Sequence, residues 1–154
     1  MKLLWIFTTL FFGFIINSCD SGDERKLPSV LIESIQVEEG NTTNYLEVLL
    51  TLTNSVDYDL SVDVRTVDGT AIKGKDYTDL YEIIIFSAGE EQASFAIEII
   101  GDNIPEDNEI FSIRLENPQN VKIDNSIATV TIINDDEHIF FIPETGYTLS
   151  LIHI

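Results

Sequence analysis

The sequence predicts an all-β sandwich, and three observations carry that expectation. Apolar and polar residues alternate with a period of two through several short segments, turn residues separate those segments, and nowhere do apolar residues recur at helical spacing. The alternation is clearest on either side of residues 101–109. Phe95, Ile97 and Ile99 alternate with Ser94, Ala96 and Glu98, and Phe111, Ile113 and Leu115 alternate with Ser112, Arg114 and Glu116. Counted along the chain, the pattern gives seven strands.

Residues 1–18 precede the domain. They begin Met1-Lys2, continue through an apolar run at 3–16 and stop before Cys19. That is the pattern of a cleaved export signal, too short for a membrane-spanning helix. Ile16-Asn17-Ser18-Cys19 resembles a bacterial lipobox, in which the cysteine is acylated and becomes the mature N-terminus; an ordinary secretory signal with an incidental cysteine is the alternative. Cys19 is the single cysteine. No internal disulfide can form, and lipid attachment gives the lone thiol a role. Residues 19–29 are polar, charged and without periodicity, a tether between lipid and domain. Their acidic start, Asp20-Ser21-Gly22-Asp23-Glu24, resembles the export signals that send some Bacteroidetes-type lipoproteins to the outer surface, although a solvated spacer accounts for the same residues. The expected location is the bacterial cell envelope, with an outer-membrane lipoprotein anchored in the membrane through its N-terminus.

The domain itself is expected over 30–137. Its first strand covers 30–37. The second, 45–53, turns Leu46, Val48, Leu50 and Leu52 to one face; the third, 60–66, does the same with Leu60, Val62 and Val64. The fourth is 81–86, the fifth and sixth flank 101–109, and the seventh, 127–133, buries Ala128, Val130 and Ile132. Gly40, Gly69, Gly74 and Gly89 mark turns. Beyond the domain, 138–148 opens with the apolar run Ile139-Phe140-Phe141-Ile142 and reads as a linker or the start of a following repeat. The last six residues, Leu149-Ser150-Leu151-Ile152-His153-Ile154, match the translation of a mosaic-end sequencing adapter. On that reading 149–154 are not biological and the gene is truncated; an apolar strand is the competing explanation.

Charge narrows the function. A net charge of -19 with 8 lysines and arginines excludes nucleic-acid binding, which requires a basic surface, and opposes docking on anionic lipid. Because 44% of the residues are hydrophobic and patterned, the acids are carried by a folded body and not by a disordered tail. They gather at strand ends: Glu38-Glu39, Asp76 with Asp79, Asp102, Glu106, Asp107 and Glu109, and Asp135-Asp136-Glu137. Pro105 bends the connection between strands five and six, so that its carboxylates can turn inward on a hard cation such as calcium. Whether these groups share one end of a sandwich depends on topology. Catalysis is not expected. His138 and His153 are the two histidines, no Ser-His-Asp set or zinc spacing is present, and the bunched carboxylates lack the aromatic groove a glycosidase would use.

Several segments resemble the Calx-beta domain family in order and spacing. They are Val62-Asp63-Val64-Arg65-Thr66-Val67-Asp68-Gly69-Thr70-Ala71, Gly74-Lys75-Asp76-Tyr77, Phe86-Ser87-Ala88-Gly89-Glu90, residues 99–111, and Ala128-Thr129-Val130-Thr131-Ile132-Ile133-Asn134-Asp135-Asp136. The resemblance implies a seven-stranded, immunoglobulin-like antiparallel β-sandwich that binds calcium with the loops at one end, as in the regulatory domains of sodium-calcium exchangers. It places metal ligands at Glu39, Asp76, Asp102, Glu106, Glu109, Asp135 and Asp136, with Ile104 offering its carbonyl. Three positions depart from the family's strongest binders. Gly101 stands where they have an aspartate, and Asn103 and Asn134 replace acids, which implies one or two weak sites with dissociation constants of roughly 10⁻⁴ to 10⁻³ M. The implied role is a calcium-rigidified stalk for adhesion or interaction with a protein or glycan partner at the cell surface. The alternative is a spacer without functional calcium binding that displays a missing C-terminal enzyme or glycan-binding domain.

Overall fold

Alternation along the chain becomes burial across two packed sheets. The computed structural model describes residues 26–137, together with the backbone of 140–143 and 149–152. The strands are Ser29–Leu31 (β1), Ile35–Glu38 (β2), Asn44–Leu52 (β3), Leu60–Asp68 (β4), Tyr81–Phe86 (β5), Gln92–Ile99 (β6), Glu109–Gln119 (β7), Lys122–Ile123 (β8), Ile127–Ile133 (β9), Phe140–Pro143 (β10) and Leu149–Ile152 (β11), and no helix occurs among the described residues. One sheet runs in the order β6, β3, β1, β8 and the other β2, β9, β7, β4, β5, while β10 and β11 pair with each other. The expected export signal, Cys19 and most of the tether lie outside the described residues.

Leu46, Val48, Leu50, Phe95, Ile97 and Ile99 from the first sheet face Val62, Val64, Phe111, Ile113 and Val130 from the second, all buried. Period-two alternation places every second side chain on the inner face, which is why the apolar residues of each strand arrive in this layer together. Tyr77, carried on the β4–β5 connection, is fully buried and stacks on Phe111, with ring centroids 4.1 Å apart and planes 12° apart.

Nine strands build the sandwich where the sequence predicts seven. The expected first strand, 30–37, divides at residues 32–34. Before the break, Val30 pairs antiparallel with Leu52; after it, Ile35 pairs parallel with Val130 in the opposite sheet. The inward-facing residues change parity across the break, from Val30 and Ile32 to Ile35 and Val37, because a strand that crosses between layers must turn its other side to the core. The hydroxyl of Ser34 accepts from Thr129 N at 3.2 Å and ties the crossing to β9. The second addition, β8, is two residues long and lies parallel to β1. Two parallel pairings therefore interrupt an otherwise antiparallel fold. Residues 149–152 of the segment matching an adapter form β11, antiparallel to β10.

Register determines which strand ends meet. In the second sheet Glu38 lies opposite Ile133, Glu109 opposite Ile132, and Asp68 opposite Phe111. In the first, Asn44 lies opposite Ile99. The ends of β2, β4, β6 and β9 and the beginnings of β3 and β7 thus share one pole.

Candidate metal centre

Backbone clamps set this pole before any carboxylate is placed. In Asp68-Gly69-Thr70-Ala71 the chain leaves β4 and lies directly against the start of β7. Ala71 N donates to Ile110 O at 2.9 Å, and Ile110 N donates to Thr70 Oγ1 at 2.8 Å. Gly69 permits the approach, since a Cβ there would stand 2.3 Å from Ile110 O. The next turn is opened by Gly74 at φ 81°, a left-handed conformation that glycine adopts without steric cost. Gly74 N donates to Tyr77 O at 2.7 Å and Asp76 N to Ile72 O at 3.0 Å. Asp76 is then fixed through two further bonds: its Oδ2 accepts from Ile72 N at 2.7 Å and its backbone O from Ile100 N at 3.0 Å.

The loop from β6 to β7 carries the acids expected there. Asp102 Oδ1 accepts from Ile104 N at 2.6 Å, closing a turn that aims the Ile104 side chain at solvent. Glu106 and Glu109 come to Asp76 from the other side, so that one oxygen from each of the three lies within 4.8 Å of the others. On the opposite flank, Glu39 N donates to Ile133 O at 2.9 Å and Gly40 N to Asp135 Oδ1 at 2.9 Å, joining the end of β2 to the end of β9. Asn41 Nδ2 bridges Asn103 Oδ1 at 2.7 Å and Asp136 Oδ1 at 3.1 Å.

All eight residues named as ligand candidates are thus on one pole: Glu39, Asp76, Asp102, Ile104, Glu106, Glu109, Asp135 and Asp136. Asp79, grouped with Asp76 by sequence, is held elsewhere by the Thr66 hydroxyl at 3.0 Å and by Lys73 Nζ at 3.3 Å. Glu38 and Asp107 are exposed.

The electrostatics of the pole are unfavourable to its own charges. Burial pushes the Glu39 carboxyl from 4.5 up to about 7, and Asp102, Glu106, Asp136 and Asp135 add to the rise. Glu109 is raised by burial and by a hydrogen bond with the Asp76 carboxyl, and Asp136 by burial with the charges of Asp135 and Asp102. Two buried oxygens, Asn134 Oδ1 and Asp136 Oδ2, accept no hydrogen bond. Leaving such an atom unpaired costs about 1–3 kcal/mol. Hard oxygen donors that are crowded, negatively charged and partly without partners are the donor set a divalent cation such as calcium satisfies.

Sequence reasoning missed the roles of three residues here. Asn41 links the loops, yet an asparagine after Gly40 reads only as a turn. Lys75, inside the Gly-x-Asp-Tyr motif, reaches Asp76 Oδ1 at 3.1 Å and Glu106 Oε1 at 3.0 Å. Gly101 is a packing requirement: a Cβ there would lie 2.0 Å from Gly40 O and 2.7 Å from Glu39 O. The two asparagines that stand for acids also differ from each other. The oxygen of Asn103 is engaged by Asn41, whereas that of Asn134 is buried and unpartnered.

A two-layer β body whose loops gather carboxylates from four separate segments onto one pole defines a class, the immunoglobulin-like cation-site modules. Within it, the chain belongs to the Calx-beta family: the Calx-beta domain profile matches residues 23–136, beginning seven residues before the expected domain start at 30. The chain is 42% identical over 78 residues to the sodium/calcium exchanger Calx of Drosophila melanogaster, covering 49% of this chain and 8% of that one. It is 36% identical over 126 residues to human sodium/calcium exchanger 2, covering 70% and 12%. It therefore spans about a tenth of the length of the curated relatives it matches. Among solved structures, the apo-form Calx CBD1 domain matches with a TM-score of 0.65 at 31% identity, over 72% of this chain and 100% of that one. The calcium binding domain CBD12 of CALX1.1 matches with a TM-score of 0.65 at 33% identity, over 70% and 45%.

Proposed function

We propose that the domain binds calcium at this pole and that the ion locks together the ends of β2, β6 and β9 and the start of β7. The observation that carries the reading is the crowding of carboxylates at this pole: oxygens of Asp76, Glu106 and Glu109 lie within 4.8 Å of one another, Glu39 feels the charges of Asp102, Glu106, Asp135 and Asp136, and Asn134 Oδ1 and Asp136 Oδ2 are buried with no protein partner. Asp76, Glu106 and Glu109 would hold one ion. Glu39, Asp102, Asp135, Asp136 and the Asn134 oxygen, with the Ile104 carbonyl, would serve the other flank. The bound ion would supply positive charge that neutralises the acids and would crosslink loops otherwise joined by a few hydrogen bonds and the Lys75 ion pairs. Asn103, already engaged by Asn41, contributes position and not charge. With Gly101 offering no side chain, the affinity falls in the weak extracellular range of roughly 10⁻⁴ to 10⁻³ M.

In the protein as a whole, this module serves as a calcium-stiffened stalk, anchored in the bacterial envelope through acylated Cys19, that presents a protein- or glycan-binding surface. The role is binding, not catalysis. A spacer that needs no calcium is the competing reading, and one titration separates them. Thermal melts in chelator and in millimolar calcium should differ, and Asp102→Ala and Asp136→Ala should each reduce the difference. An identical melt in both solutions would leave the spacer. Metabolic labelling with an alkynyl fatty acid checks the anchor separately: the label should appear on the wild-type protein and vanish in Cys19→Ser.

A further inference from the structure

The backbone around Lys75 is fixed by the bonds that Lys75 N and Asp76 N donate to Ile72 O, at 3.1 and 3.0 Å. Its side chain leaves that turn toward the acids. Nζ lies 3.1 Å from Asp76 Oδ1 and 3.0 and 3.1 Å from the two oxygens of Glu106. Those two carboxylates, with Glu109, are the group whose oxygens lie within 4.8 Å of one another. The ammonium therefore takes up the oxygens that an ion in this subsite would need. Lys73, two residues earlier, is paired with Asp79 instead, and Arg65 with Glu116 on β7.

We propose that Lys75 is an intramolecular competitor for this subsite: its ammonium holds Asp76 and Glu106 when calcium is not bound, and calcium enters by displacing it. The inference rests on the calcium reading given above. A divalent ion and an ammonium cannot both sit against the same two carboxylates without strong mutual repulsion. Asp76, 6% exposed and bonded through its backbone and side chain, cannot move away, whereas the Lys75 side chain is 56% exposed and has solvent to swing into. A partly exposed ion pair is weak enough to exchange. The apparent affinity then equals the intrinsic affinity multiplied by the fraction of molecules in which the lysine is out. Displacement also makes the exchange at this subsite a net gain of one charge in place of two.

Calcium titration by calorimetry of the wild-type chain, Lys75→Met and Lys75→Arg tests this. With the lysine in place in nine molecules of ten, Lys75→Met should bind about tenfold more tightly, while Lys75→Arg, which keeps a cation on the same stem, should stay within about threefold of wild type. A second readout needs no variant. Acetylation of Lys75 by acetic anhydride, followed by mass spectrometry, should run several-fold faster in calcium than in chelator, with Lys122 as the internal reference. If the wild type binds calcium but Lys75→Met binds no more tightly, or Lys75 reacts equally in both solutions, the competitor is overturned and the calcium reading stands. If no variant takes up calcium, both fall.

Discussion

Two sets of carboxylates on this molecule have opposite surroundings. Asp63, on β4, accepts from Asn117 Nδ2 and the Tyr81 hydroxyl, both at 2.8 Å, and Asp68, at the end of β4, accepts from the Tyr77 hydroxyl at 2.5 Å and Lys73 N at 3.0 Å. Donors hold both carboxyls below the ordinary aspartate range. At the pole, Glu39, Glu109 and Asp136 are raised, chiefly by burial and then by neighbouring carboxylates. The same residue types thus make one structural set, whose charge the protein satisfies, and one set whose charge it leaves for something else. A high acid count alone does not distinguish these; the ratio of donors to carboxylates does.

The ring beneath both sets offers the largest test. Tyr77 donates to Asp68 and follows Asp76 directly, so Tyr77→Ala should remove the support of each set at once and cost about 3–5 kcal/mol of stability, as large-to-small changes at fully buried aromatics do. Urea unfolding measures it, and a loss below about 1 kcal/mol would show that the stack on Phe111 is not what holds the pole. The pH response comes next. Glu39 has a folded pKa above its unfolded value, so its contribution to stability is fully present below about 4.5 and is lost as pH rises through about 7. In chelator, unfolding free energy should fall across that window by on the order of 3 kcal/mol, and Glu39→Gln should flatten the slope. An unchanged slope in that variant would assign the effect to other groups. Calcium should reverse the loss, adding about 2.7 kcal/mol at a concentration 100 times the dissociation constant, and more effectively at pH 8 than at pH 5, where protons compete for the same oxygens. Equal stabilisation at both pH values would place the ion away from Glu39.

How much of this was readable in advance varies with the kind of interaction. Strands whose one face is buried announced themselves: β5 and β9 fall on the expected bounds, and the expected 45–53 is displaced by one residue from β3. The divided first strand was also written in the sequence, as a change of parity between Ile32 and Ile35, but a short apolar run hides such a slip. Two-residue β8 is too short to show any period. Acids at strand ends were legible, as was the family resemblance carried by the Gly-x-Asp-Tyr and Asp-Gly-Thr-Ala segments. Their physical roles were not. That Gly69 and Gly101 exist to let backbones touch, that Asn41 uses up the oxygen of Asn103, and that Lys75 turns toward Asp76 all depend on contacts between residues distant along the chain, and no local pattern encodes them.

The smallest expected effect sharpens the contrast most. Asp63→Asn removes a charge that two donors already satisfy, on β4 and outside the polar cluster. Calcium should stabilise this variant as much as the wild type, since none of the residues that raise Glu39 is touched. Its own pH signature should have the opposite sign to that of Glu39. A carboxyl lowered by folding contributes stability above its unfolded pKa, near 3.8, and loses it as pH falls through the lower folded value. Replacing Asp63 should therefore make the acid limb of the stability curve shallower and leave the limb between pH 5 and 8 alone. A change in the calcium response of Asp63→Asn would mean that charge acts over the whole domain and that the donor-rich and donor-poor sets are not independent.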